Sequence, residues 1–349
     1  MYYKREDGTF SKDYVARRPW LVYEVPESLS PLRLGTFHSL ATSEYSFACS
    51  LYPLNVFTIY CLYRYYQSFL QQVEGYSGEE RLDILRKIYL QPCEVLAQAF
   101  ARRFLDGDLQ ILERVLCDER FADHYYRILQ LVGTGSGLDT WCEQVLWECC
   151  QQIVPNQVPE VYLWIGPFVA NSVLTLNESQ RYAICISLEL FSDLGTLETG
   201  REALWASIAL VLAHEYGHCL RYQQMAEQNG WNDSLLEKLC GEGLAAKFSQ
   251  TLFPMIPLHH HLLLSPAELA WCEYNEDLLW KIVSPYLLSS APGLIRLFLQ
   301  RTDKRFASGM PECTGYFIGY RLVDDYLRAH SQAILKNMLP LAADAILQG

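Results

Sequence analysis

The chain of 349 residues contains twelve cysteines, yet no two of them stand in C-x-x-C spacing. A thiolate zinc cage and a thioredoxin-like redox pair are therefore unsupported. Long hydrophobic runs are missing too. The longest uncharged apolar run, Ala203 to Ala213, falls far short of the ~20 residues that a membrane-spanning helix needs. Positive charge is scarce: 28 basic against 40 acidic side chains leave a net charge of -12. That argues against nucleic acid or an anionic membrane as a partner, since both call for clustered Lys and Arg. No internal repeat and no low-complexity segment occurs, and the polar start Met1 to Asp7 has no apolar stretch behind it, so a secretory signal is not expected. A cytoplasmic location follows as the expectation, with the cysteines serving as small buried hydrophobes. What is present is a large core's worth of apolar residues, 50% of the chain with 13% aromatic.

The pattern along the chain is expected to give an α+β, predominantly helical protein. Residues 1 to 37 mix aromatics with Pro19, Pro26 and Pro31 and read as an irregular arm. From about 42 to 152, apolar residues recur at three- and four-residue spacing, as in Leu82, Leu85, Ile88 and Tyr89. Between Pro155 and Ser192 the period changes, and Val161–Ile165 and Tyr182–Leu188 read as strands. Helices resume after them, so the sheet must be small.

Chemistry concentrates in Leu212-Ala213-His214-Glu215-Tyr216-Gly217-His218-Cys219. The segment is expected in a helix that opens on a Thr199–Glu202 capping box and ends at Asn229-Gly230. Residues four apart share a helix face, so His214 and His218 can bind one metal ion while Glu215 reaches a water on it. This is the H-E-x-x-H arrangement of zinc peptidases. Two imidazoles and a carboxylate beside so apolar a run need partners, and a metal supplies one. A third histidine six residues beyond His218 is absent, because position 224 is Gln. The next helix, from Ser234 to about Thr251, offers Glu237 and Glu242. Glu237 belongs to a Ser234–Glu237 capping box. Glu242, between Gly241 and Gly243, lies on the apolar face of Leu235, Leu239 and Ala246 and is the preferred third ligand, with the glycines letting the two helices approach closely.

These residues resemble the gluzincin zinc metallopeptidases, and more narrowly the predicted zinc-dependent protease family known as domain of unknown function 2268. The resemblance rests on His214-Glu215-Tyr216-Gly217-His218 with Arg221, on Glu242-Gly243-Leu244-Ala245, and on the late Thr314 to Val323 segment. It implies a zincin-like domain over residues 153–349 behind an N-terminal arm and helical region at 1–152. It also implies a small sheet whose edge strand, Tyr182 to Leu188, pairs with an extended peptide or protein substrate. Zn2+ held by His214, His218 and Glu242 would acidify water, and Glu215 would act as general base. Tyr316 or Tyr320, four apart, would donate to the oxyanion. His259-His260-His261 reads as an exposed loop, and Arg221 as a partner of Glu242 or another acid. The alternatives are a zincin-like binding or regulatory protein with a structural zinc and no turnover, and a deformylase-like hydrolase that would need an upstream Cys ligand such as Cys185.

Overall fold

A computed structural model of the chain describes residues 57–133, 137–176, 182–192, 197–227, 232–300 and 309–348, without the side chains of 197–199 and 202. The arm expected over residues 1–37, the helix end at Asn229-Gly230 and the pairing of Thr199 with Glu202 lie outside this description. Thr199 is in any case inside its helix, which begins at Leu197.

Four short strands form one mixed sheet: β1 (Ile59–Cys61), β2 (Glu160–Trp164), β3 (Ser172–Thr175) and β4 (Tyr182–Ser187). Their order is β1-β2-β4-β3, with β1 and β4 parallel to β2 and β3 antiparallel to β4. Register pairs Ile59 with Val161, Glu160 with Ala183 and Ser172 with Cys185. β4 is thus an interior strand. The expectation that Tyr182 to Leu188 forms the edge is corrected: among the described residues β3 is the edge on that side. Ala183 through Ile186 are fully buried, which is what a strand covered on both faces looks like and why it reads as a continuous apolar run.

Between β1 and β2 come α1 (Tyr63–Gln72), α2 (Gly78–Leu85), a π-helical turn (Arg86–Leu90), α3 (Glu94–Phe104), α4 (Leu109–Cys117), α5 (Ala122–Val132) and α6 (Leu138–Gln152). They pack through large side chains, with Phe100 against Trp164 at 4.8 Å between ring centroids. The Tyr89 hydroxyl donates to the Ile165 carbonyl at 2.5 Å and accepts from the Ile165 amide at 2.9 Å, tying the helical layer to the end of β2. One apolar cluster runs from Leu62 through the sheet into the following helix.

After the sheet comes α7 (Leu197–Glu227), 31 residues long, which packs along β3 and β4. α8 (Leu235–Leu252), α9 (Leu258–His261), α10 (Pro266–Tyr274), α11 (Glu276–Val283), α12 (Pro292–Leu299), α13 (Thr314–Ala329), α14 (Leu335–Met338) and α15 (Ala343–Gln348) complete the chain around a second apolar cluster. Ser234 caps α8, its hydroxyl accepting from the Glu237 amide at 3.2 Å, and the Leu235 and Leu236 amides donate to the carbonyls of Ser289 and Leu287. The α8–α13 crossing is backbone on backbone: a Cβ at Gly243 would lie 2.0 Å from the Gly319 carbonyl oxygen. Close approach of α7 to α8 falls instead at Gly217, where a Cβ would meet Ala245 Cα at 2.9 Å, while Gly241 faces open space. The expectation that Gly241 and Gly243 bring α7 and α8 together is corrected accordingly.

The described cysteines are free thiols, most of them buried. Burial pushes Cys93, Cys219, Cys240 and Cys272 up to about 12. Among the described residues no helix is long and apolar enough to cross a membrane.

Candidate metal centre

α7 presents His214, Glu215 and His218 near its middle, each 8% exposed. α8 brings Glu242 beside them. His214 Nε2 and His218 Nε2 lie 3.1 Å apart, and each is 3.2 Å from Glu242 Oε2. The three form a group that could hold a metal ion. Hydrogen bonds alone leave one side of this triangle unfavourable. A neutral imidazole carries a single N–H; if both Nε2 atoms donate to Glu242, two N–H dipoles oppose each other, and if one is bare, its lone pair faces the carboxylate. A cation at the centre satisfies all three atoms. Tetrahedral zinc with bonds of ~2.0–2.1 Å separates its ligand atoms by roughly 3.3 Å, and two imidazoles with one carboxylate are a donor set suited to it. The residues fit zinc.

Burial pushes the Glu215 carboxyl up to about 7, with His214 opposing and Glu242 adding to the rise. Burial acts on Glu242 in the same sense, but the two imidazoles more than offset it and hold its carboxyl well below the usual carboxylate range.

Glu237 is elsewhere. Its Oε1 accepts from Arg221 Nη2 at 2.7 Å and from Nε at 3.2 Å, and both side chains are almost wholly buried. Arg221 also donates to the carbonyls of Met338, Leu339 and Leu341, so it fastens the C-terminal segment onto α7 and α8. The sequence left Arg221 open to Glu242 or another acid; the acid is Glu237.

A cleft of about 340 Å³ holds the metal group, with Val169 to Val173 at the start of the edge strand on one wall and Tyr316 of α13 on another. The Tyr316 ring lies 6.1 Å from that of His214. Tyr320 is one helical turn further on and does not line the cleft. Its hydroxyl donates to Gln250 Oε1 at 2.9 Å and accepts from Lys247 Nζ at 3.2 Å. Tyr320 is thus not brought beside the metal group, and its hydroxyl is engaged by Gln250 and Lys247. Cys185 is fully buried inside β4 and outside the metal group.

The histidine triplet is also placed differently from the exposed loop expected of it. It ends the short α9, whose neighbours Leu258 and Leu262 sit in the second core, so His261 is drawn to 1% exposure. Its Nδ1 lies 2.9 Å from Ser249 Oγ. His260 and His261 line the cleft, and burial pulls both down to about 4.

Sequence reasoning passed over Tyr222, whose ring stacks on that of His218 at 6.0 Å and 17°. The signal was available: Tyr222 continues the 214–218 series by four residues. It also passed over Arg103 on the cleft wall, which comes from a helix between β1 and β2 and has no local signature.

Residues 196–348 match the family described as predicted Zn-dependent protease (DUF2268). No curated protein and no solved structure matches the chain. The family-matched segment contains every residue of the metal group together with Tyr316, Tyr222 and Arg221, whereas the sheet and Arg103 precede it.

Proposed function

We propose that the protein is a zinc-dependent peptidase of the gluzincin type, with residues 153–349 as its catalytic part and the helices before them as its support. The observation that carries this reading is the triangle of His214, His218 and Glu242 ligand atoms with Glu215 next in sequence to the first of them. When bound there, zinc supplies a Lewis acid that acidifies water and polarises a peptide carbonyl. Glu215, next to the first ligand on the same helix and with its carboxyl raised by burial, takes the proton from water and passes it to the leaving amine. Tyr316, on the wall beside His214, donates to the oxygen on which negative charge develops. The edge strand β3 has no strand on its outer side among the described residues, and an extended peptide can pair with its backbone. The cleft of about 340 Å³ gives such a chain room beside the ligands.

Elemental analysis and peptide hydrolysis test the proposal together. One zinc per chain is expected, lost in Glu242→Ala and kept in Glu237→Gln. Glu215→Gln should retain the metal and lose at least ~100-fold in turnover. Hydrolysis by Glu215→Gln at the wild-type rate removes Glu215 from its role. A wild-type chain that binds zinc and cleaves no peptide is a binding protein instead.

A further inference from the structure

The cleft continues past the metal group. Beyond Tyr222 it adjoins a second hollow of about 430 Å³ beside the edge strand. Arg103, Val173, Tyr222 and Lys238 line both spaces. The second hollow has a charge opposite to that of the chain as a whole. Against a net -12, its lining among the described residues carries Arg102, Arg103 and Lys238 with a single acid, Asp233. Lys238 is already paired with that acid at 2.8 Å. Arg102 and Arg103 have no carboxylate partner among the described residues; the Arg103 guanidinium rests 5.9 Å from the Phe104 ring centroid. Both arginines stand in the last turn of α3, where the helix dipole favours cations. The dipole accounts for basic residues in that turn, but not for seating one of them on the wall shared by the two spaces.

We propose that Arg103 determines specificity by receiving a carboxylate of the substrate, so that the cleft selects peptides with an acidic group on the side of the scissile bond lying over the second hollow. An exposed guanidinium with its fork uncommitted is suited to this, because it can bind a carboxylate through two parallel hydrogen bonds. The carboxylate can come from an Asp or Glu side chain or from the C-terminus of the peptide. Positive charge on this wall also completes a field that the metal begins, against a protein surface that otherwise repels acidic chains. The proposal rests on the peptidase reading above.

The test uses the full zinc-loaded chain and two pairs of peptides, one pair differing as Glu against Gln near the cleaved bond and the other as C-terminal acid against amide. In the wild type the carboxylate member of at least one pair is expected to have a kcat/KM about fivefold higher, carried by KM, with the ratio shrinking as salt is added. Arg103→Ala should bring that ratio close to one, Arg103→Lys should keep part of it, and Arg103→Glu should invert it toward a Lys-containing peptide. The pair that responds identifies the source of the carboxylate. Equal rates in the wild type, or a preference that survives in Arg103→Ala, overturn the assignment. Peptide affinity is also measured by fluorescence anisotropy in the Glu215→Gln background, which needs no turnover. Discrimination there that disappears with Arg103→Ala, in a wild type that hydrolyses nothing, brings down the peptidase reading and leaves the carboxylate site standing. Equal affinities bring down the site itself.

Discussion

In the helical layer between β1 and β2, contacts are made by large side chains. Tyr66 meets Phe69, Tyr89 and Tyr125 with ring centroids 5.0 to 5.3 Å apart. Beside the metal group the opposite holds: α8 and α13 meet through Gly243 and Gly319, where a Cβ on either would stand 2.0 Å from a backbone oxygen. A contact filled by side chains can lose atoms and relax part of the way, so damage there is graded. A contact between backbones cannot gain even a methyl group without moving a helix. The difference bears on the proposed function, because Gly243 is next to the candidate ligand Glu242 and Gly319 is one turn past Tyr316. The seat of α13 on α8 therefore sets the distance between two walls of the cleft.

The sharpest break of this comparison is Gly319→Ala. Its new Cβ would press on the Leu239 carbonyl oxygen, and the expected cost is about 4 kcal/mol or more, with zinc content falling alongside stability in a denaturant titration. Gly241→Ala, two residues from Gly243 on the same helix, meets nothing within 4 Å and should stabilise by roughly 0.5–1 kcal/mol. Equal effects at the two positions would show that the crossing is looser than its geometry.

Arg221→Met comes next. It strips the buried Glu237 of its partner and removes the donor to three C-terminal carbonyls, for an expected loss of about 3–5 kcal/mol. Adding Glu237→Leu should recover part of this, since the stranded charge goes but the carbonyls stay unserved. Full recovery in a double-mutant cycle would mean that the C-terminal segment is held by its apolar contacts alone.

What could be read from the sequence follows the same division. The grouping of His214, His218 and Glu242 was legible because its geometry is local: four residues on one helix bring His214 and His218 together, and a carboxylate on the apolar face of the next helix has few other reasons to be there. The edge of the sheet was not legible, since β1 and β3 have three and four residues, too few to display a period of two. Tyr316 and Tyr320 share a helix face, yet a turn is ~5.4 Å of rise, enough to put the second beyond the cleft. Gly217 stands inside the H-E-x-x-H segment without being one of its ligating positions, yet it is the point where α7 approaches α8. Such roles are set by the neighbouring helix, about which the glycine's own sequence context is silent.

A smaller effect is expected from pH acting on His261. Its folded pKa is about 4, pulled down by burial, against ~6.5 in an unfolded chain. Between those values the unfolded chain binds more protons, so this contribution is intact above pH 6.5 and is lost as pH falls toward 4. The loss is on the order of 2 kcal/mol by pH 5. Acid also competes for metal ligands, so the informative quantity is the change, between pH 7 and pH 5, in the stability difference separating wild type from His261→Phe. An unchanged difference would mean that His261 is charged or exposed in the folded protein.

The smallest effect tests the graded side of the comparison. The Tyr66 hydroxyl donates at 2.8 Å to the carbonyl of Leu116, near the C-terminal end of α4, while its ring is held by three aromatic neighbours. Tyr66→Phe keeps the ring and removes only the hydroxyl, leaving one buried carbonyl without this donor. A single neutral hydrogen bond contributes about 1 kcal/mol net, and the loss should appear as a shifted midpoint with an unchanged denaturant slope. Zinc stoichiometry should be untouched, since no backbone in this layer seats a ligand. A Tyr66→Phe chain that lost metal would show the helical layer positioning the cleft as strictly as the glycine crossing does, and would remove the distinction between the two kinds of packing.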